Sequence, residues 1–144
     1  MKRILFLCTG NSARSQMAEA LLRHLAPDQW EAYSAGSDPK GIHPLTVEVM
    51  QEIGIDISQQ RSKSVKEYMG RMLFDDAVIL CRRYEENCPT IYADARRVHR
   101  WLFEDPATSE GTPAEQVARF RAVRDQVKSR LELWLAETQE AELA

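Results

Sequence analysis

The sequence predicts an α/β fold, a single four-stranded parallel sheet with helices on both faces. Three observations carry that prediction. Two short, wholly apolar runs, residues 4–7 and 77–80, read as strands buried on both faces, as central parallel strands are. Segments with apolar residues at helical spacing alternate with the strand candidates, which is the pattern of βαβ units. The 144 residues fit one domain, and no repeat, low-complexity tract or linker divides residues 1–144.

The elements follow in order. Residues 4–7 form the first strand, and a polar loop follows it. Met17, Ala18, Leu21, Leu22 and Leu25 then fall at helical spacing, and Pro27 ends that helix. Residues 30–34 alternate and read as the second strand. A loop of Gly, Pro and Asp residues covers 35–43. Pro44 suits the first position of a helix, with Leu45, Val49 and Ile53 as its apolar face and Gly54 able to cap its end. Residues 65–72 read as another short helix and 77–80 as the third strand. A loop containing Arg82, Arg83 and Cys88-Pro89 precedes a fourth strand over 97–102. The last helix has the clearest signals. Thr112-Pro113-Ala114-Glu115 joins a capping box to proline at the first helical position. Val117, Phe120, Val123, Val127, Leu131 and Trp134 then keep helical spacing. The polar tail over 137–144 is expected to fray.

Composition excludes several classes. The chain has 19 basic and 22 acidic residues, a formal net charge of −3. That balance argues against a nucleic-acid or membrane-surface partner. The apolar run at the start stops at Cys8, too short for a signal-peptide core or a membrane span. A cytoplasmic protein with reduced thiols is expected, and nothing demands more than a monomer. The three cysteines are an odd number and too few for a disulfide scaffold. No Cys-x-x-Cys is present, and His24, His43 and His99 lack ligand spacing, so no metal site is expected.

The most informative segment is Cys8-Thr9-Gly10-Asn11-Ser12-Ala13-Arg14-Ser15, between a buried strand and a helix. Backbone N–H groups of Thr9, Gly10, Asn11, Ser12 and Ala13 in such a loop can surround an anion, and the helix N-terminus favours negative charge. Gly10 and Asn11 tolerate the left-handed backbone that a tight cradle needs. Arg14 offers a planar fork to two oxygens of a tetrahedral oxyanion. Ser15 can donate to Cys8. The helix N-terminus and the nearby cation favour the thiolate of Cys8, the nucleophilic form. Taken alone, Cys8 could also be a small buried apolar residue; the Cys-x5-Arg-Ser spacing in this context favours function.

This segment, read on through Gln16-Met17-Ala18-Glu19, resembles the signature loop of the low-molecular-weight tyrosine phosphatase superfamily. Within it the segment is most similar to the thioredoxin-coupled arsenate reductases. The phosphatase branch usually has proline where Gln16 stands, and Ala13 replaces a cysteine common to both branches. The resemblance continues through Tyr33-Ser34-Ala35-Gly36, Gly54-Ile55-Asp56-Ile57-Ser58, Cys81 with Cys88-Pro89, and Trp101-Leu102-Phe103-Glu104-Asp105-Pro106-Ala107. It implies the low-molecular-weight phosphatase fold over nearly the whole chain.

Cys8 and Cys81 each follow a strand candidate. If those strands are neighbours, their ends lie about 4.8 Å apart, at the place where open α/β sheets bind ligands. Cys88 is seven residues past Cys81, which is about 10.5 Å in a continuous helix. A disulfide needs Cα atoms within roughly 7 Å, so pairing them requires a bent segment and a mobile loop over 81–93. Two unrelated structural cysteines are the alternative.

The resemblance implies a relay. Cys8 attacks arsenate, Cys81 attacks Cys8 and releases arsenite, and Cys88 moves the disulfide to Cys81–Cys88 for reduction by thioredoxin. It implies that Asp105, otherwise a turn former before Pro106, is the general acid. Phosphate and sulfate would compete as oxyanions, and no tightly bound cofactor is implied. Asn11, Glu19 and Ser34 match positions that hold potassium in some relatives, but Lys63 stands where the remaining ligand, an aspartate, would be. The expectation is that the Lys63 ammonium replaces the cation and contacts Glu19 and Asn11, so potassium is not needed. Two other functions stay open. A low-molecular-weight tyrosine phosphatase, or one acting on small phosphomonoesters, would use Cys8, Arg14 and Asp105 without the other thiols. A non-catalytic oxyanion sensor would keep the loop without Asp105.

Overall fold

Strand β1 (Lys2–Cys8) lies inside a four-stranded sheet of order β2-β1-β3-β4. Every pairing is parallel, with Leu5 opposite both Tyr33 of β2 (Trp30–Gly36) and Ala77 of β3 (Phe74–Ile79). β4 (Ala95–Arg100) completes the edge beyond β3. The computed structural model describes every residue except Arg83, Ile91, Ala93, Ser109 and Ala144. The loop expected to be mobile contains three of these, and the expected frayed tail ends on another; those positions lie outside the described residues.

Ile4, Leu5, Phe6 and Leu7 are fully buried, as an apolar run between two sheet neighbours requires. Strand β2 shows what covers each face. Trp30 packs at a tilt against Trp134 of the last helix, with ring centroids 4.7 Å apart. Tyr33 faces the other way and meets Tyr68, with centroids 5.7 Å apart. Helices α1 (Arg14–Leu25), α2 (Pro44–Gln51) and α3 (Pro113–Leu143) lie against one another on the Trp30 side. The opposite side takes the 3-10 turn Val65–Glu67, a shorter piece of helix than the apolar spacing over 65–72 predicts.

The local signals act as expected at both ends of the helices. Glu115 N–H donates to Thr112 Oγ1 (3.2 Å) and Thr112 N–H to Glu115 Oε1 (3.1 Å), closing the capping box. Gly54 takes φ +78°, and Ile55 N–H reaches back to Met50 O. Arg124 of α3 donates to Val49 O (2.9 Å) and Glu52 (2.8 Å), tying α3 to the end of α2.

Of the boundaries that differ from the sequence reading, three have a clear physical reason. β3 begins at Phe74, because Asp75 and Asp76 disguise its start; Asp76 is buried yet paired with Arg97 (2.9 Å) and His99 (2.6 Å) of β4. β4 begins at Ala95 for the same reason, with Arg97 and His99 serving Asp76 rather than an apolar core. The tail beyond Glu137, expected to leave the helix, continues α3 to Leu143. Its Glu, Gln and Ala residues are good helix formers, and Lys2 reaches Glu142 (3.3 Å). Among the described residues no helix is long and apolar enough to cross a membrane.

Candidate active site

The loop from Cys8 to Arg14 joins the C-terminal end of β1 to the N-terminus of α1. Asn11 turns it, with φ +47°. This left-handed residue is fully buried, and its amide is saturated. Nδ2 donates to Ser15 Oγ (2.8 Å) and Ser34 Oγ (3.0 Å). Oδ1 accepts from Lys63 N–H (2.9 Å) and Gln16 Nε2 (2.9 Å). Gly36 lets β2 approach the loop, since a Cβ there would lie 2.5 Å from Thr9 O.

The loop's carbonyls face away from its centre. Thr9 O accepts from Asp38 N–H, Gly10 O from Lys40 N–H, and Ser12 O from His43 N–H. The hydroxyl of Thr46 also donates to Ser12 O (2.9 Å). Among the described residues, no N–H of residues 9–14 has an acceptor. The N-cap residue of α1, Ala13, has no capping side chain. N–H groups without acceptors thus lie beside an uncapped helix N-terminus in one short loop, the kind of arrangement that binds anions.

Cys8 sits at the floor of this cradle, 2% exposed and unpaired. Its Sγ is 2.8 Å from Ser15 Oγ. Because Ser15 Oγ already accepts from Asn11, its hydroxyl proton is free to point at Cys8. That direction suits a thiolate, which accepts but cannot donate.

Arg14 is 3% exposed. Both of its terminal nitrogens lie 2.8 Å from the carboxylate oxygens of Glu85. Nη1 also donates to Phe103 O (3.1 Å), and Nη2 is 3.9 Å from Asp105 Oδ2. Burial works against the charge of Arg14. The hydrogen bonds to Glu85, with negative charge at Cys8, Glu85 and Asp105, outweigh it and raise its pKa above the ordinary value. The cation is therefore permanent.

A cavity of about 410 Å³ opens over the cradle, lined by Cys8, Arg14, Lys40, His43 and Asp105 among others. Asp105 is half exposed, and its Oδ1 accepts from Ala107 N–H (2.9 Å), which fixes the turn around Pro106. The buried hydroxyl of Thr9 has no partner among the described residues.

Cys8 is the last residue of β1 and Cys81 lies two residues past the end of β3, and Leu80 N–H donates to Leu7 O (2.8 Å) across the two strands. The two cysteines therefore flank the same strand ends. Cys81 is disulfide-bonded to Cys88, with Cα atoms 5.9 Å apart. The chain achieves that approach by turning rather than running as a helix: Cys88 N–H returns to Glu85 O (3.2 Å), and Asn87 takes φ +61°.

Behind the loop, Lys63 is buried, with Nζ 3.6 Å from Glu19 Oε1, 3.4 Å from Ser34 Oγ and 3.1 Å from Arg61 O. Burial lowers its pKa below the ordinary lysine value, with Glu19 opposing that shift. The ammonium reaches Glu19 as the sequence suggests, but not Asn11. Asn11 Oδ1 is occupied by the backbone of Lys63 and by Gln16. Sequence reasoning placed Cys8, the 9–13 loop, Arg14, Ser15 and Asp105 together, and they are together. It gave no role to Gln16, Lys40, His43 or Glu85. Gln16 alone carried a signal, as the residue replacing a proline, and its amide proves to hold Asn11 O and Oδ1 and Arg61 O.

A parallel α/β sheet with a thiol and an arginine around an N–H cradle at its strand ends defines a class of cysteine-based oxyanion proteins. The chain belongs to the low molecular weight phosphotyrosine protein phosphatase family, whose pattern matches residues 3–143. It is 45% identical over 137 residues to an arsenate reductase of Halalkalibacterium halodurans, covering 95% of this chain and 96% of that one. Its fold is similar to a solved arsenate reductase in a phosphate-binding state, with TM-score 0.78, 33% identity, and 95% and 98% of the two chains covered. It is also similar to a thioredoxin-dependent arsenate reductase of Corynebacterium glutamicum, with TM-score 0.69, 27% identity, and 97% and 63% covered.

Proposed function

We propose that the protein reduces arsenate to arsenite through Cys8, Cys81 and Cys88, and that thioredoxin restores it. The observation that carries this reading is the thiol arrangement. Cys8 lies free in the oxyanion cradle, Cys81 follows the adjacent strand, and Cys81 is joined to Cys88. A phosphatase needs only the first of these.

The chemistry runs by successive displacement. Arsenate enters the cradle opposite the Cys8 thiolate, held by the loop N–H groups and Arg14. Sulfur attacks arsenic and an oxygen leaves as water, with a proton supplied by Asp105. The Cys81 thiolate then attacks Cys8 Sγ. A Cys8–Cys81 disulfide forms, the sulfur–arsenic bond breaks, and its electron pair stays on arsenic, which departs as arsenite. The Cys88 thiolate attacks Cys81 Sγ and Cys8 leaves as a thiolate. Two electrons have passed from protein sulfur to arsenic, and the dithiol of thioredoxin returns them. The similarity to a thioredoxin-dependent relative supports that donor.

Hydrolysis of small phosphomonoesters is the second reading, favoured by the family and by Cys8, Arg14 and Asp105 lining one cavity. The two activities separate in Cys81→Ser, which removes the first resolving thiol and leaves the cradle whole. The expected result is loss of arsenate reduction with aryl phosphate hydrolysis retained. Fast hydrolysis in wild-type protein with no arsenate turnover would favour the phosphatase.

Potassium independence belongs to the same proposal. Lys63 Nζ lies among Glu19, Ser34 and Arg61 O, so a positive charge already neutralises that buried carboxylate. Activity that rises several-fold with potassium but not sodium would contradict it.

A further inference from the structure

We propose that Glu85 is an internal competitor for the oxyanion: while Cys81 and Cys88 are joined, its carboxylate holds Arg14 and closes the cradle to arsenate and phosphate. The inference rests on the reductase reading for its place in a cycle. The contact itself does not depend on that reading.

The contact is two-pronged, with both Arg14 terminal nitrogens 2.8 Å from Glu85 oxygens. A carboxylate presents two oxygens to a guanidinium much as a tetrahedral oxyanion does. Glu85 therefore takes the edge of Arg14 that a substrate would use. The remaining surroundings offer little else. Phe103 O takes a further bond from Nη1, Asp105 adds a second carboxylate at 3.9 Å, and the Arg14 side chain is only 4% exposed. An oxyanion entering the cradle would meet a cation already neutralised and two carboxylates of its own sign.

Glu85 is placed there by the segment that the disulfide closes. It lies between Cys81 and Cys88. Its N–H donates to Arg82 O (3.0 Å), its carbonyl accepts from Cys88 N–H (3.2 Å), and its Oε1 accepts from Arg82 N–H (3.3 Å). The bridge and these turns fix the approach of the carboxylate. Reduction removes the covalent tie, and an oxyanion then competes for Arg14 on equal terms. The oxidised protein thus sheds oxyanions and cannot be trapped by abundant phosphate, while the reduced protein binds them. A mere anchor for the loop would hold the same salt bridge without a redox-dependent affinity, so affinity is the readout.

The test uses inorganic phosphate as probe and titration calorimetry on four samples. These are wild type and Glu85→Gln, each fully reduced and each carrying the Cys81–Cys88 bridge, with the redox state checked by intact mass and peptide mapping. The oxidised wild type should bind phosphate at least about tenfold more weakly than the reduced form, the scale of one charge-assisted contact that phosphate must displace. In Glu85→Gln the two redox forms should bind within about twofold of each other, since the neutral amide competes poorly. Equal affinities in the two wild-type forms would overturn the proposal. So would an undiminished gap in Glu85→Gln. Thermal melts of all four samples establish folding, and Glu85→Ala serves as a second variant with the same expectation. A redox gap that closes in Glu85→Gln, in a protein that never reduces arsenate, would sustain the gate and sink the reductase reading. Arsenate turnover without any gap would do the reverse.

Discussion

The two sides of the oxyanion loop are built on opposite principles. On the Asn11 side every polar group is used within the fold: both amide N–H bonds, both lone pairs, the Ser34–Glu19 bond and the buried Lys63. On the Arg14 side the key contact is to Glu85, a residue of the disulfide-closed segment. The first side is a fixed support that shapes the cradle. The second is held by groups that the proposed chemistry must separate. Changes on the support should therefore alter stability and activity together, whereas changes on the other side should separate activities from one another.

The broadest effect should come from Arg14→Lys, because both activities use that side chain. It keeps a charge but loses the fork, and a single lost oxyanion donor commonly costs about 10²–10³ in rate. Steady-state assays of arsenate reduction and aryl phosphate hydrolysis should fall together. Next is Cys81→Ser, which should eliminate the first activity and spare the second; parallel loss of both would show that this side also acts as support.

Asn11→Ala tests the support itself. It removes four hydrogen bonds from a buried site and leaves a non-glycine residue at positive φ. A loss on the order of 2–3 kcal/mol is expected, visible as a lower denaturation midpoint, with activity falling too. An unchanged midpoint would contradict the division drawn here.

Asp76 provides a control remote from the loop. Burial would raise its pKa, but the hydrogen bonds from His99 and Arg97 prevail and hold it below the ordinary value. Its stabilisation is full above the unfolded pKa of about 3.9 and is lost as pH falls through the lower folded value. Replacing it by Asn should lower stability by roughly 2 kcal/mol at neutral pH, with the difference shrinking in acid melts, and leave turnover alone. The smallest effect belongs to Lys63→Asp, which supplies the carboxylate expected in potassium-binding relatives. Its melting temperature should rise with potassium but not sodium, and the wild type should not respond.

How much was legible in the sequence follows the same division. The cradle is local: Cys8 to Ser15 are consecutive, the turn needs a residue such as Asn11, and the helix begins at once. A short spacing therefore revealed it. β1 was legible because its centre, Ile4 to Leu7, is buried on both faces. Asp76 hid the start of β3, because its partners Arg97 and His99 stand 21 and 23 positions further along the chain, on β4. Glu85 was hidden more completely. A glutamate in a polar loop has no distinguishing pattern, and its meaning arises only when the fold sets it against Arg14, 71 positions earlier. Gln16 was visible as a substitution, but its three bonds to Asn11 and Arg61 were not.

The central claim is that three thiols act in series. Arsenate-dependent NADPH oxidation with purified thioredoxin and thioredoxin reductase tests it most directly. Wild-type protein should sustain turnover, Cys81→Ser and Cys88→Ser should not, and peptide mapping after one equivalent of arsenate without thioredoxin should recover the Cys81–Cys88 bridge. Absence of turnover in wild-type protein that hydrolyses aryl phosphates rapidly would contradict the claim.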